Sequence, residues 1–244
     1  MTEILQSVIP YAAKMDAALP GIGPLDADDW VQSDDAFAGQ MALRDHIIAT
    51  RPDDVVAICG ASDAAMNDVL AAVLAVLRNR PAYHVADDHV IRPDGVHVPL
   101  SGPPMITAAR LVQEDLCLHE KHGDEHVMTA AVLCFPASWT LKEKIGKPLS
   151  VIHRYVDDYD PNVARRVQRL FDGVQIGRPL WRYNLLRYQS PALFHPRLEN
   201  APRQDDDDGQ GAYLRSEHQA LVRMPASGAV LFAIHTYIVH DPLV

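Results

Sequence analysis

The chain has 244 residues, of which 48% are hydrophobic, so it can bury a sizeable core. This length suits one large domain or two small ones, and no internal repeat is evident; we expect residues 1–244 to form a single domain. The formal net charge of −10 argues against a nucleic-acid partner, since binding to phosphates requires a basic surface.

The N-terminus and the cysteines bear on cellular location. The sequence lacks a charged start followed by a long apolar run, and it has no uninterrupted run of about 18 apolar residues, so we expect neither a signal peptide nor a membrane span. Cys59, Cys117 and Cys134 lie far apart and form no CxxC motif, which argues against a zinc ribbon or a cysteine-ligated iron–sulfur cluster. Their apolar flanks predict buried free thiols in a cytoplasmic protein.

Two helices are predicted in the first third of the chain, after an irregular segment over residues 1–30. Asp34 or Asp35 is placed to cap a helix that runs to about Ala49, and Ser62 is placed to cap the next helix. The side chains expected to face inward recur at helical spacing; they are Phe37, Met41, Ile47 and Ile48, then Met66, Val69, Leu70, Val73, Leu74 and Leu77.

The middle of the chain mixes strand and helix patterns. Residues 83–100 are typical of a strand–turn–strand, residues 107–120 fit either a helix or a strand, and residues 127–135 are apolar enough for a buried strand. Residues 140–143 fit a capping box for a short helix that stops at Gly146.

The last third of the chain favours strands. The predicted elements are a helix that opens at Asp160-Pro161, a strand over 178–188, an acidic surface loop over 203–211, and a hairpin with strands 213–224 and 229–239. Helices come first and strands concentrate late, without regular β–α–β alternation. The pattern predicts an α+β fold with a mainly antiparallel sheet flanked by helices and an N-terminal helical portion.

Several common cofactor and nucleophile motifs do not occur. No GxGxxG follows a predicted strand, and neither GxxxxGK[ST] nor GxSxG is present. Dinucleotide binding by a Rossmann unit, P-loop chemistry and α/β-hydrolase chemistry therefore lose support.

Twelve histidines raise the question of a metal site. His119, His122 and His126 cluster in HEKHGDEH, but Gly123 and the polar run favour an ordinary loop. His153 differs, because it ends the apolar run 149–152 and is expected at the end of a strand.

A lone histidine in an apolar wall has two interpretations. It is usually a satisfied core residue, but one imidazole among apolar residues and cations also suits a heme iron and its propionates. The sequence makes His153 the first choice of iron ligand and His195, in LFHP, the second. The cations close to His153 in sequence are Lys142, Lys144, Lys147 and Arg154.

The terminal hairpin carries polar residues on one predicted face. Strand alternation places Arg215, Glu217, Gln219 and Arg223 together. This face is either solvated, with cross-strand ion pairs, or it lines a cavity in which Glu217 binds a cationic amine or pairs with an arginine. On the partner strand, His235 is expected to be a packed residue.

The chain resembles the α subunit of heme-dependent oxidative N-demethylase, the dimethylamine-oxidising system, and its relatives. The resemblance runs nearly end to end and rests on the order and spacing of several segments. These are PLDADDW (24–30), LVQEDLCL (111–118), CFPASW (134–139), KIGKPLSVIH (144–153), GRPLWRYN (177–184) and LRSEHQALVRMPASGAVLFAIHTY (214–237).

The resemblance implies a PAS-like, heme-binding oxygenase subunit. Such a protein uses O2 to convert a small secondary amine to a primary amine and formaldehyde, with electrons from NAD(P)H through separate flavin and iron–sulfur reductase subunits. His153 would be the iron ligand, and the cofactor-binding cations would be Lys144, Arg154 and Arg182. The residues expected to shape the catalytic pocket are Glu217, Arg215, Asn184 and Tyr237.

Two other functions stay open. One is a non-catalytic PAS-like module that binds heme or another small ligand, and the other is a relative without a cofactor. The chain departs from the family pattern in the run 182–185, after Val156, at His218, where the family has Arg between Glu and Gln, and at His235, where the family also has Arg.

Overall fold

A computed structural model describes residues 3–13, 21–153, 161–202 and 211–242 of the chain. The helices in these ranges are α1 (Phe37–Thr50), α2 (Pro52–Val55), α3 (Asp63–Leu77), α4 (Pro104–Ala109), α5 (Leu149–Ile152) and α6 (Pro161–Gly173). The strands are β1 (Gly23–Pro24), β2 (Val56–Ile58), β3 (His84–Val85), β4 (His89–Ile91), β5 (His97–Pro99), β6 (Asp115–His122), β7 (Glu125–Val132), β8 (Leu180–Tyr188), β9 (Tyr213–Arg223) and β10 (Val230–His240).

Seven of these strands form one large sheet, in the order β1-β8-β9-β10-β6-β7-β2. Each neighbouring pair is antiparallel, and β9 and β10 form the predicted terminal hairpin. A small sheet of β3, β4 and β5 covers the predicted strand–turn–strand. The α+β class with a large antiparallel sheet is therefore confirmed. The helices do not all precede the sheet, however, because α4, α5 and α6 follow residue 80 and β1 and β2 precede it.

The helices that flank the sheet bury its two faces differently. Helices α1, α3 and α4 pack with the small sheet against one face, where β6, β7, β9 and β10 contribute alternate apolar side chains. Those side chains are Leu116, Leu118, Ala130, Val132, Ala220, Val222, Leu231 and Ala233. Helices α5 and α6 pack on the opposite face with smaller apolar clusters.

Helix starts follow the sequence signals in one case and depart from them in another. Ser62 caps α3 as predicted, because its Oγ accepts a hydrogen bond from the Ala65 backbone N–H over 3.2 Å. Asp34 does not cap α1, which has Ala36 at its N-cap. Asp34 Oδ1 instead accepts a hydrogen bond from the Ala36 backbone N–H, and Asp34 Oδ2 lies 2.9 Å from His235 Nε2.

Three local predictions need correction or refinement. The run before His153 is not a strand but the short helix α5, and His153 is its C-cap. Residues 107–120 divide into the end of α4 and the start of β6. The capping-box segment forms a single 3-10 turn over Leu141–Glu143, in which Thr140 Oγ1 bonds to the Glu143 side chain rather than to the backbone. The chain then turns at Gly146, which has φ = +71°.

The cysteines divide into two groups. Cys117 and Cys134 are buried free thiols, as predicted, but Cys59 is exposed because it follows β2 at the edge of the large sheet. None of the helices in the described ranges has the length and apolar character needed to cross a membrane. The acidic segment over 203–211 lies, except for Gly211, outside the described residues.

Candidate functional site

Strand alternation places four polar side chains on one face of the sheet, at the β8–β9 pair. Asn184 lies opposite Glu217, and Arg182 lies opposite Gln219, in the antiparallel register. Because successive side chains of a strand point to opposite faces, these four share one face, which we call the Glu217 face.

Two side-chain amides hold the carboxyl group of Glu217. Asn184 Nδ2 and Gln219 Nε2 each donate a hydrogen bond of 2.8 Å to Glu217 Oε2. The backbone N–H of Glu217 donates to Asn184 Oδ1, also over 2.8 Å. Glu217 is only 5% exposed, so of the two alternatives that the sequence leaves open, the internal face is the one observed at this residue.

The other carboxyl oxygen of Glu217, Oε1, is left for a further partner. Among the described residues, no group donates a hydrogen bond to Oε1 and no cationic side chain forms an ion pair with Glu217. A carboxylate with one oxygen anchored and the other available is suited to bind a donor, and a cationic donor binds it most strongly.

Arg182 contributes a guanidinium beside this carboxylate. Its Nε is buried and has no hydrogen-bond partner within the part of the chain that the structure describes. Burial lowers the pKa of Arg182, and the charge of Glu217 opposes that shift. The guanidinium therefore lies in a setting where a bound anion would stabilise it.

His153 lies at the end of α5 with its ring oriented by the backbone. Its Nδ1 is 2.9 Å from the Leu149 carbonyl oxygen, which can only accept, so in the neutral ring Nδ1 carries the proton and Nε2 the lone pair. Burial lowers the pKa of His153, and the charges of Lys144 and Arg182 lower it further. The ring is therefore neutral at pH 7, which is the form of imidazole that binds metals.

Lys144 stabilises the end of α5. Its Nζ donates to the Ile152 carbonyl oxygen over 2.5 Å and forms an ion pair of 2.6 Å with Glu199 Oε1. The Lys144 charge is thus already neutralised by Glu199, and the residue is buried. Arg154, the other predicted cofactor-binding cation, lies outside the described residues.

Arg215 is buried as predicted but does not pair with Glu217. Its guanidinium donates to three backbone carbonyl oxygens, those of Phe135 at 2.7 Å and of Ala192 and Leu193 at 3.2 Å each. Arg215 therefore joins the segment after β7 to the segment after β8. Backbone carbonyls thus bind the two terminal nitrogens of the guanidinium in place of the expected carboxylate, while its buried Nε has no partner among the described residues.

Tyr237 is not brought together with Glu217. In the β9–β10 register, Thr236 lies opposite Glu217 and Tyr237 lies opposite Ser216. The tyrosine ring therefore points to the opposite face of the sheet, which we call the His235 face. The pocket predicted from Glu217, Asn184 and Tyr237 together is thus divided between two faces.

The His235 face carries a buried charge network that sequence reasoning missed. His235 is fully buried, with Nε2 at 2.9 Å from Asp34 Oδ2 and Nδ1 at 3.1 Å from Glu114 Oε1. Burial alone would lower the pKa of His235, but the two carboxylates outweigh it and raise the pKa to about 9. The polar run Gln113-Glu114-Asp115 between two apolar stretches was the available sequence signal, since all three residues are buried.

The other histidines do not assemble a metal site. His119 and His126 both pack against the Phe171 ring, at centroid distances of 5.2 and 5.3 Å, and burial lowers the pKa of each. No group of three or more His, Cys, Asp or Glu side chains in the described ranges is arranged to hold a metal ion. His195 is buried with its ring edge against Tyr188.

The donors on the Glu217 face fit a heme group. A heme iron needs one neutral imidazole with the other ring nitrogen fixed by a hydrogen bond, as His153 provides through Leu149. The propionates of heme need a cation, and Arg182 offers a buried Nε without a described partner. Lys144 fits that role less well, because Glu199 already binds it.

The comparison with known protein families agrees with the resemblance seen in the sequence. The model of one family, described as haem-dependent oxidative N-demethylase, alpha subunit-like, matches residues 21–241. The match includes β1 through β10 and the Glu217 face, and it leaves out the whole N-terminal segment over 3–13. The chain therefore belongs to the haem-dependent oxidative N-demethylase, alpha subunit-like family.

Proposed function

We propose that residues 1–244 form a single PAS-like, heme-binding oxygenase subunit that demethylates a small secondary amine resembling dimethylamine. O2 is the second substrate, and electrons come from NAD(P)H through separate flavin and iron–sulfur subunits. The observation that supports the proposal most is the anchored carboxylate of Glu217, whose Oε1 accepts no hydrogen bond from the described residues.

The role of Glu217 follows from the chemistry of the substrate. A dialkylamine is an ammonium ion at neutral pH, with two N–H donors and a positive charge. Glu217 Oε1 would accept one of those donors, and the Glu217 carboxylate would balance the charge. Asn184 and Gln219 fix the carboxylate, so the amine would be oriented by a group that does not move on binding.

His153 and Arg182 would hold the cofactor. His153 would bind the iron through Nε2, because Nδ1 donates to the Leu149 carbonyl. Arg182 would neutralise a propionate and so satisfy its buried Nε. Heme, when bound, supplies the iron at which oxygen is activated. Lys144 would act indirectly, by fixing the end of α5 through the Ile152 carbonyl.

The test separates heme binding from amine binding. Glu217→Gln keeps the size of the side chain and removes its charge, so the variant should retain the heme spectrum and bind dimethylammonium at least about tenfold more weakly. Glu125→Gln, at the distant end of β7, is the matched control and should behave like the parent protein. Equal amine affinity in parent and Glu217→Gln would contradict the role of Glu217.

A second outcome distinguishes the catalytic subunit from a binding module. A heme-loaded protein supplied with a reductant, O2 and dimethylamine should release formaldehyde. Stable heme and amine binding without formaldehyde release, under conditions where the heme is reduced, would favour the non-catalytic PAS-like module.

A further inference from the structure

The His235 face carries an aromatic pocket that surrounds one residue of the N-terminal segment. The Tyr11 ring contacts four other rings at centroid distances between 5.2 and 6.2 Å. Those rings belong to Trp181, Tyr183, His218 and Tyr237. Trp181 also stacks on His218 at 4.8 Å. We call these four residues the aromatic pocket.

The surroundings of the aromatic pocket are negatively charged. The ring of His235 lies 4.5 Å from that of Tyr237 and bonds to both Asp34 and Glu114. One imidazolium between two carboxylates leaves a net charge of −1. Burial lowers the pKa of His218 to about 4, so His218 adds a neutral ring and no opposing charge.

One oxygen of this network has no partner. Glu114 is fully buried, and its Oε2 forms no hydrogen bond with any described residue. An unsatisfied carboxylate oxygen in a buried site is costly unless a cation or a donor binds nearby. Glu114 Oε1 lies 3.1 Å from His235 Nδ1, and the His235 ring lies 4.5 Å from that of Tyr237, so one ring separates the carboxylate from the aromatic pocket.

The Tyr11 side chain makes fewer hydrogen bonds to the sheet than Gln6 does in the same segment. Gln6 binds the edge of β10 through hydrogen bonds to the backbone of Thr236 and Ile238. Within the described residues, the Tyr11 side chain makes a single hydrogen bond, between its hydroxyl and Ser216 Oγ at 2.8 Å. The phenol ring can therefore leave the pocket while Gln6 keeps the segment bound to the sheet.

We propose that the aromatic pocket is a binding site for a small methylated ammonium ion, and that Tyr11 occupies it until the ion displaces the phenol ring. Trp and Tyr faces attract cations, and the charge of Asp34 and Glu114 adds to that attraction. Gln32 joins the charged network to the pocket, because its backbone N–H donates to Glu114 Oε1 and its side-chain oxygen accepts from the Tyr237 hydroxyl.

The proposal is independent of the Glu217 site, because the two sites lie on opposite faces of the sheet and the aromatic pocket needs no cofactor. The probe is therefore tetramethylammonium chloride, titrated into the protein without heme and compared with sodium chloride at equal ionic strength. Binding is followed by the NMR signal of the Trp181 indole N–H, which is identified with Trp181→Phe.

Tyr11→Ala should bind tetramethylammonium at least about tenfold more tightly than the parent, because the pocket is already open. Tyr11→Phe is the graded comparison; it keeps the ring but removes the hydrogen bond to Ser216, so its affinity should lie between those of the parent and Tyr11→Ala. Adding Trp181→Leu to Tyr11→Ala should abolish the gain. Equal affinity in Tyr11→Ala, Tyr11→Phe and the parent would overturn the proposal.

A measurement on the parent protein keeps the test decisive if Tyr11→Ala does not fold. Saturating tetramethylammonium should increase hydrogen exchange of the backbone amides over residues 7–13, because Tyr11 leaves the pocket. Unchanged exchange over these residues at saturating concentrations, with sodium chloride as the reference, would overturn the proposal.

Discussion

Asn184 and Glu217 face one another across β8 and β9 and exchange two hydrogen bonds. Asn184 Nδ2 donates to Glu217 Oε2, and the Glu217 backbone N–H donates to Asn184 Oδ1, each over 2.8 Å. The asparagine thus binds both the side chain and the backbone of the same residue. This exchange fixes the carboxylate on rigid strands, which is the arrangement that orients a substrate well.

Removing the two hydrogen bonds between Asn184 and Glu217 should lower the free energy of unfolding. Asn184→Leu leaves the Glu217 backbone N–H and part of its carboxylate without a partner, and we expect a loss of about 1–3 kcal/mol in the free energy of unfolding. Urea denaturation measures it. Leu186→Ala, on the same face of β8 but exposed, is the control and should change the value by less than about 0.5 kcal/mol. Similar losses of unfolding free energy in both variants would show that the Asn184–Glu217 hydrogen bonds do not stabilise the fold.

Breaking the Lys144–Glu199 ion pair should destabilise the protein far more than breaking an ion pair on the surface. Its two side chains are 10% and 12% exposed, and Lys144→Met leaves Glu199 without its cation, at a cost approaching about 3–5 kcal/mol if the pair is fully buried. Lys142→Met breaks the exposed pair with Asp54 and should cost about 0–1 kcal/mol. Thermal unfolding of both variants provides the comparison. Equal losses would mean that Lys144 does not stabilise the end of α5.

The His235 network should make stability depend on pH. The folded-state pKa of His235 is raised from 6.5 to about 9, so its contribution is fully present below pH 6.5 and is lost as the pH rises through about 9. That contribution is on the order of 3 kcal/mol. The pKa of Asp34 is lowered instead, by hydrogen bonds from His235, Gln113 and Gln6 that outweigh its burial, so its contribution is lost at acidic pH.

His235→Gln isolates the alkaline part of this dependence. The parent should lose stability between pH 6.5 and 9 relative to the variant, as measured by urea denaturation at a series of pH values. Parallel stability curves for parent and variant across that range would contradict the assignment of the charge to His235.

The sequence predicts those parts of the site that depend on neighbouring residues within one strand or helix. Alternation within β9 is local, and it correctly grouped Arg215, Glu217 and Gln219 on one face, but it left open whether that face is buried, which the structure shows it to be. The run 149–152 is also local, but four residues, three of them apolar, are too few to distinguish a strand from a helical turn, and the structure has α5 there.

The contacts that decide the chemistry are not local. Asp34 and Glu114 lie 201 and 121 residues away from His235, so no spacing rule joins them. Arg215 looks like an ion-pair partner in sequence, and only the fold shows that its guanidinium binds backbone carbonyls instead. His218 and His235, two departures from the family pattern, are direct cross-strand partners, which the hairpin register reveals.

The central claim is that His153 binds a heme iron on the Glu217 face. The most direct measurement is the absorption spectrum of the protein produced with ample heme, before and after reduction and addition of carbon monoxide, in the parent and in His153→Ala. We predict a Soret band in the parent and its loss or a marked shift in His153→Ala, with unchanged circular dichroism. A His153→Ala protein that keeps the parent heme spectrum, or a folded parent that takes up no heme, would contradict the account.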